Sequence, residues 1–184
     1  QMMCTPGSGE HMPLTEEQIS NLYCERKDLP TVMHYTVHLD TAFKDEKRRA
    51  SGDESVIVVM GHDVNRTGNV YFMEGWGSNT WRIEDFTDKL VEIVQRYRKQ
   101  LKRVRAITDE TGVGGKTGTW EMHLRNCFAM ADLYMPPFLE IQRSHMTRKI
   151  SRLVEAAGYW IDGAFHIVKD APGAPKLVRQ MLQI

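Results

Sequence analysis

The sequence has no excess of charge of either sign, no pairing set of cysteines and no long apolar run. Its 184 residues carry 24 basic and 24 acidic side chains, which argues against nucleic-acid binding through bulk positive charge but leaves room for a local basic patch. The 3 cysteines form no CxxC motif and favour a reducing, cytoplasmic setting over secretion. No apolar run approaches the roughly 20 residues of a membrane span, and no signal peptide is visible. We therefore expect no membrane partner.

The length is typical of a single domain with a substantial hydrophobic core. Residues 1–14 are rich in Gly, Pro and Ser and lack periodicity, which indicates a linker or tail. The segment from Thr15 to Gln18 resembles a capping box and predicts a short helix to about Arg26. We divide the chain into a linker with a short helix over 1–30 and a folded domain over 31–184. Because residue 1 is Gln rather than Met, we expect a longer parent protein.

A strand, two acids, a glycine-rich loop and a helix follow one another over residues 104–117, VRAITDETGVGGKT. One chemistry for such a unit is a P-loop that binds phosphate. Its motif requires Gly at position 110, where this chain has Glu110, whose carboxylate would repel a phosphate. A nucleotide-binding module that uses residues 112–117 stays an alternative. It also requires a strand followed by a second acid, and the sequence has none at suitable spacing.

The other chemistry uses the acid itself. The carboxylate of Asp109, at the end of an apolar strand, offers the oxygen ligands that Mg²⁺ and Mn²⁺ prefer. A second strand ends in Asp40, where period-two alternation places His34, Thr36, His38 and Asp40 on one face. The alternative role for both aspartates is that of a cap at the end of a strand.

The element order is β-β-β-α-β-α, which predicts an α/β fold with a mixed central sheet flanked by helices. We predict strands over 31–40, 55–61, 69–76, 104–109, 138–141 and 159–168, and helices from 80 to 101, 117 to 132, 146 to 157 and 174 to 182. Strands two and three form a hairpin. A right-handed crossover makes the fourth strand parallel to the first. Asp40 and Asp109 then lie side by side at one sheet edge, close enough to share metal ions.

Four short segments in this order resemble the motifs of one family. They are D-x-A in residues 39–42 (LDTA), the Gly-Asp before the second strand in 52–56 (GDESV), D-x-T-G-x-G in 109–114 (DETGVG) and a basic helix in 148–152 (RKISR). Over residues 36–184 the chain resembles RNase H-like nucleases, and more narrowly the C-terminal nuclease domain of viral large terminase subunits, as in tailed bacteriophages.

The resemblance implies a metal-dependent endonuclease that cuts concatemeric double-stranded viral DNA during genome packaging. It also implies an upstream ATPase domain, a small terminase subunit and a portal as partners, and the host cytoplasm at the viral procapsid as the location. Two alternatives stay open. One is another RNase H-like nuclease such as a Holliday junction resolvase, and the other is a non-catalytic domain that binds DNA or a partner.

Asp40 and Asp109 are the expected catalytic residues and ligands of two Mg²⁺ or Mn²⁺ ions, with Asp53 and Glu110 as further candidate ligands. His38 shares the face of Asp40 and could hydrogen-bond at the site. The expected contacts to DNA phosphates are Lys116, Arg143, Arg148, Lys149 and Arg152. The basic run at 96–105 has a simpler explanation, because cations stabilise the C-terminal end of a helix.

The family supplies one further acid near its last helix, and this chain has no acid pair there. We expect that acid to lie beyond Ile184 or to be absent. Asp162 and Asp170 are the late acids that could replace it, although both also suit turns.

Overall fold

A computed structural model describes residues 15–42, 54–65, 68–109, 117–141, 160 and 162–182. Within these residues, strands and helices alternate around one sheet. The strands are β1 (Tyr23–Cys24), β2 (Met33–Asp40), β3 (Ser55–Asp63), β4 (Val70–Ser78), β5 (Val104–Asp109), β6 (Phe138–Glu140) and β7 (Phe165–Val168). The helices are α1 (Glu16–Ser20), α2 (Ile83–Lys99), α3 (Thr117–Met130) and α4 (Ala174–Met181).

The seven strands form one mixed sheet in the order β1-β7-β4-β3-β2-β5-β6. Strands β2, β3 and β4 are an antiparallel meander, and α2 crosses from β4 to β5, which pairs in parallel with β2. Strand β6 is parallel to β5, and β7 is parallel to β4. The predicted mixed α/β sheet, its hairpin and its crossover are confirmed.

The alternating sequence of β2 explains which of its faces is buried. Met33, Tyr35, Val37 and Leu39 are buried, whereas the residues between them are only half-buried. A period-two pattern of this kind buries one face of a strand against helices. Strand β3 is an interior strand, paired with β2 on one side and β4 on the other, and alternate residues from Ser55 to Gly61 are buried.

Helix α2 is fixed to the sheet by an apolar stripe and by one buried acid. The stripe comprises Phe86, Leu90, Ile93, Val94 and Tyr97. Glu74 on β4 is 4% exposed and forms an ion pair with Arg96 of α2. The indole Nε1 of Trp76 donates a hydrogen bond of 2.7 Å to the same carboxylate. Burial, followed by the charge of Glu74, raises the pKa of Tyr97.

The amino-terminal helix is shorter than predicted. Thr15 and Gln18 form the expected capping box, but α1 ends at Ser20 rather than near Arg26. The chain turns there because Ile19 and Leu22 are buried in the core, and β1 then pairs with β7. Residues 15–29 therefore pack on the sheet. Residues 1–14 lie outside the described residues, so the linker there stays a prediction.

The last predicted strand is also shorter, because residues 162 and 163 form a turn in which Gly163 has a φ of 70°. Among the described residues of the predicted segment 159–168, the strand comprises Phe165–Val168. The predicted helix at 146–157 lies outside the described residues. The described part of the chain contains no helix that is long and apolar enough to cross a membrane.

Gly173 directly precedes α4 and packs so closely against β4 that there is no space for a side chain. Its φ is 83°, and the amide of Gly75 on β4 donates a 2.7 Å hydrogen bond to the neighbouring carbonyl of Pro172. A Cβ on Gly173 would overlap the Gly75 carbonyl, whereas a Cβ on Gly163, which also has a positive φ, would meet no atom within 4 Å.

We therefore expect Gly173→Ala to lower the free energy of unfolding by more than Gly163→Ala does. The control substitution carries only the backbone strain of a left-handed alanine, about 1–2 kcal/mol. Gly173→Ala carries the same strain, and its new Cβ must also displace the backbone of β4 at Gly75, against which the start of α4 packs. Urea unfolding followed by circular dichroism measures both. Equal losses in the two variants would contradict the close approach of Gly173 to β4.

Candidate active site at the carboxyl edge of the sheet

Two acids end two neighbouring parallel strands. Asp40 is the last residue of β2, and Asp109 is the last residue of β5. Because the strands are parallel and directly paired, both residues lie at the same edge of the sheet. Neighbouring strands lie about 4.8 Å apart. Both acids end at one sheet edge, as predicted, but the prediction that they lie side by side is wrong, because a shift in register offsets them. Their roles stay predictions.

A β-bulge sets the register of the two acids. Tyr35 pairs with Val104, but Thr36 pairs with Ala106, so Arg105 is an extra residue in β5. Without this bulge, regular pairing would place Asp109 opposite Asp40. With it, Asp109 pairs with Leu39 instead. Asp40 and Asp109 are therefore offset by one residue rather than strictly side by side.

The offset gives the two carboxylates different surroundings. Paired residues in neighbouring strands share a face, so Asp109 lies on the buried face with Leu39, and Asp40 lies on the opposite face. Accordingly, Asp109 is 0% exposed, whereas Asp40 is exposed. A buried carboxylate is stable only where donors or positive charge compensate it. A site between these strands would thus combine one buried and one accessible acid.

Glu140 is a third acid at this edge, and it was not a candidate in the sequence analysis. It ends β6, pairs with Asp109 and is exposed. The amide of Ile141 donates a 2.9 Å hydrogen bond to the Asp109 carbonyl, which continues the pairing. The same signal that identified Asp40, an acid at the end of a predicted strand, could have identified Glu140.

His38 belongs to a chain of hydrogen bonds across the face that carries Asp40. Its Nδ1 lies 2.7 Å from the Thr108 hydroxyl, and its Nε2 lies 2.9 Å from the Thr36 hydroxyl. The Thr36 hydroxyl is also 2.8 Å from His62 Nε2. The chain links β5, β2 and β3 next to the Asp40 end of β2. It fixes the His38 ring, which is half-buried rather than free in solvent.

The remaining predicted residues fall into two groups. Those outside the described residues are Asp53, Glu110, Lys116, Arg143, Arg148, Lys149 and Arg152. The late acids Asp162 and Asp170 flank β7, which is separated from β2 by two strands. Asp170 forms an ion pair with Arg26, and the hydrogen bond from this arginine lowers the pKa of Asp170. Neither late acid therefore joins Asp40 and Asp109 at the edge.

Oxygen ligands dominate this edge, which suits a hard divalent cation. In the ranges that the structure describes, no three His, Cys, Asp or Glu side chains form a group that could hold a metal ion. A metal site at Asp40 and Asp109 would need further ligands, and Asp53 and Glu110, which lie outside those ranges, are the sequence candidates.

No protein-family model and no curated protein matches this sequence. Solved structures do match it. The nuclease domain of the P22 large terminase has 13% identity and a TM-score of 0.55, over 96% of this chain and 79% of that one. The human cytomegalovirus terminase nuclease domain has 9% identity and a TM-score of 0.58, over 92% and 83%. A Mn-soaked form of the latter has a TM-score of 0.53 at 7% identity, over 89% and 81%. The chain has the RNase H-like fold of terminase nuclease domains.

The histidines around this face make stability depend on pH. Burial, and secondarily the charge of His34, lowers the pKa of His62. Burial, followed by the charges of Arg105 and Arg103, lowers the pKa of His34. In the unfolded chain both rings titrate near about 6.5. As pH falls through this value, the unfolded state binds more protons than the folded state, so the free energy of unfolding falls.

We expect the melting temperature to be constant between pH 8 and 7 and to fall between pH 7 and 5.5. His62→Gln keeps a hydrogen-bonding group beside Thr36 but cannot titrate, so its melting temperature should fall less over the same interval. Differential scanning calorimetry across this range measures both proteins. An identical pH dependence in the variant would show that His62 is not a source of the effect.

Proposed function

We propose that this chain is a metal-dependent endonuclease domain that cuts double-stranded viral DNA during genome packaging. The observation that carries the proposal is the parallel pairing of β2 with β5, which brings Asp40 and Asp109 to one sheet edge. The fold supports it, because the chain has the architecture of the P22 and cytomegalovirus terminase nuclease domains. The Mn-soaked cytomegalovirus domain supports a divalent cation as the cofactor.

Asp40 and Asp109 would hold the cations just beyond the strand ends, where carboxylates from opposite faces of the sheet can reach the same ion, and Asp53 or Glu110 would complete the ligand set. Two Mg²⁺ or Mn²⁺ ions, when bound, would activate a water molecule and stabilise the leaving 3′ oxygen of the scissile phosphodiester. The burial of Asp109 favours a bound cation, because a carboxylate withdrawn from water gains more from a neighbouring positive charge than an exposed one does. The exposed carboxylate of Asp40 lies where a DNA phosphate can approach.

Neighbouring residues keep these ligands in position. His38 lies two residues before Asp40 on the same face, and its two ring nitrogens are both engaged by threonine hydroxyls. The bond to Thr108 joins β2 to β5 next to their acidic ends, and the bond to Thr36 holds the ring within β2. We assign His38 the role of a positioning residue, since preorganised ligands bind metal ions more tightly than mobile ones.

Lys116, Arg143, Arg148, Lys149 and Arg152 are proposed to contact DNA phosphates. Such contacts position a duplex without recognising its sequence. The ATPase domain, small terminase subunit and portal are the proposed partners, at the procapsid in the host cytoplasm.

Cleavage of supercoiled plasmid tests the proposed function. We expect cutting with Mn²⁺ or Mg²⁺ and none with EDTA. Asp40→Asn and Asp109→Asn should each lower the cleavage rate at least about 100-fold, because even loss of a group that supports a metal ligand costs 10- to 100-fold. Glu110→Gln, the next residue in the sequence, tests the adjacent candidate. Circular dichroism of each variant shows whether it is folded.

Glu140→Gln tests the third acid of this edge. Glu140 pairs with Asp109 on the neighbouring strand β5, but β6 lies two strand positions from β2, roughly 10 Å away. We expect it to keep most of the activity. If Glu140→Gln is inactive and Asp40→Asn is active, the site lies between β5 and β6.

The substrate distinguishes the alternative functions. Cutting of four-way junctions but not of plasmid would favour a resolvase. Absence of cutting with any metal would oppose the proposed activity of this chain.

A further inference from the structure

A groove of about 630 Å³ lies at the amino end of β5, opposite the edge that carries the acids. Its floor contains Val94 of α2 and Pro136 of the segment before β6, both buried. Four basic residues line it, namely Arg98, Lys102, Arg103 and Arg105, together with Tyr134. We call this feature the basic groove.

The basic groove is a local concentration of charge in a chain whose net charge is zero. Among the residues that the structure describes, no acidic side chain lines it. Within the same ranges, none of its four cations forms an ion pair, although Lys102 lies over the rings of Tyr97 and Tyr35. Six other cations do form ion pairs, namely Arg26, Lys89, Arg96, Arg125, Lys169 and Lys176. The positive charge of the groove also acts on His34. Burial, and then the charges of Arg105 and Arg103, lower the pKa of this histidine. Cations gathered around a concave surface attract an anionic ligand.

The dipole of α2 explains only part of this charge. Arg98 lies in the last turn of the helix, where a cation is stabilising. Lys102, Arg103 and Arg105 follow the helix end. Arg105 is the bulged residue of β5, and bulges redirect side chains from the regular alternation of a strand. Arg98, Arg103 and Arg105 are exposed, and Tyr134 is 81% exposed, so these groups are available to a ligand.

The basic groove is separate from the acids. Strand β5 runs from Val104 at the groove to Asp109 at the opposite edge, and five steps of about 3.3 Å give roughly 17 Å. A phosphate at the acids therefore cannot reach the groove. A duplex advances 3.4 Å per base pair, so the same length corresponds to about five base pairs.

We infer that the basic groove is a second binding site for the sugar-phosphate backbone of double-stranded DNA, which anchors the substrate away from the cutting edge. The identity of this polyanion rests on the proposed function. Arginine, lysine and tyrosine side chains are the usual donors to DNA phosphates, and the apolar floor suits the sugar that joins them. An acidic peptide is the competing ligand that the experiment must separate from DNA.

The test measures binding of a fluorescent 30-base-pair duplex by anisotropy in EDTA, where cleavage cannot occur. The double variant Arg98→Gln/Arg105→Gln removes two cations of the basic groove and keeps most of the aliphatic part of each side chain. Lys27→Gln/Arg179→Gln removes two exposed cations that do not line the groove. The slope of log affinity against log salt falls by about 0.9 for each phosphate that the protein no longer neutralises. We expect a slope smaller by about 2 and affinity at least tenfold weaker in the groove variant, with little change in the control.

The kinetic consequence distinguishes anchoring from chemistry. At saturating DNA, the groove variant should cut at the original rate, while KM rises by the same factor as Kd. Equal affinity and slope in the two double variants would overturn the inference, even if the chain cuts DNA. Tight groove-dependent binding of poly-glutamate without groove-dependent binding of DNA would also overturn it. Groove-dependent DNA binding by a chain that never cuts DNA would support the groove and oppose the proposed nuclease.

Discussion

The parallel pairing of β2 with β5 is the constraint on which the rest of the structure depends. It requires a crossover, which α2 supplies, and α2 is held to the sheet by its apolar stripe and by the ion pair of the buried Glu74 with the partly exposed Arg96. The same pairing gives the sheet two chemically distinct ends, with acids at the carboxyl end of β5 and cations at its amino end.

One bulged residue connects these two ends. Arg105 is the extra residue of β5. Its insertion places a cation at the basic groove and changes the pairing partner of Asp109 from Asp40 to Leu39. The shift buries one carboxylate and leaves the other exposed. Bulges recur beside active sites, where they redirect side chains. In this chain β2 and β5 stay paired, but the bulge gives the two carboxylates different exposure to solvent.

Much of this architecture could be predicted from local sequence patterns. Alternation in β2, the apolar runs of β3 and β5 and the stripe of α2 are each visible within one element, and the crossover rule then made β2 and β5 neighbours. The register was not predictable, because a bulge depends on pairing between distant segments. Strand β1 could not be predicted, because a strand of two residues is too short to show a periodic pattern of apolar side chains. The place of Glu140 beside Asp109 and the basic groove were not predictable, because they depend on how β6 and the segment before it pack against β5 in the folded chain.

The central claim is that Asp40 and Asp109 hold divalent cations at one sheet edge. Crystals of the chain soaked in Mn²⁺ and measured at the manganese absorption edge test it most directly, since anomalous scattering locates the ion independently of activity. The account predicts an anomalous peak between the ends of β2 and β5, with carboxylate oxygens of both aspartates at about 2.0–2.6 Å, the span of metal–oxygen distances from Mg²⁺ to Ca²⁺. A peak that contacts neither aspartate, or no peak at a Mn²⁺ concentration that supports cleavage, would contradict it.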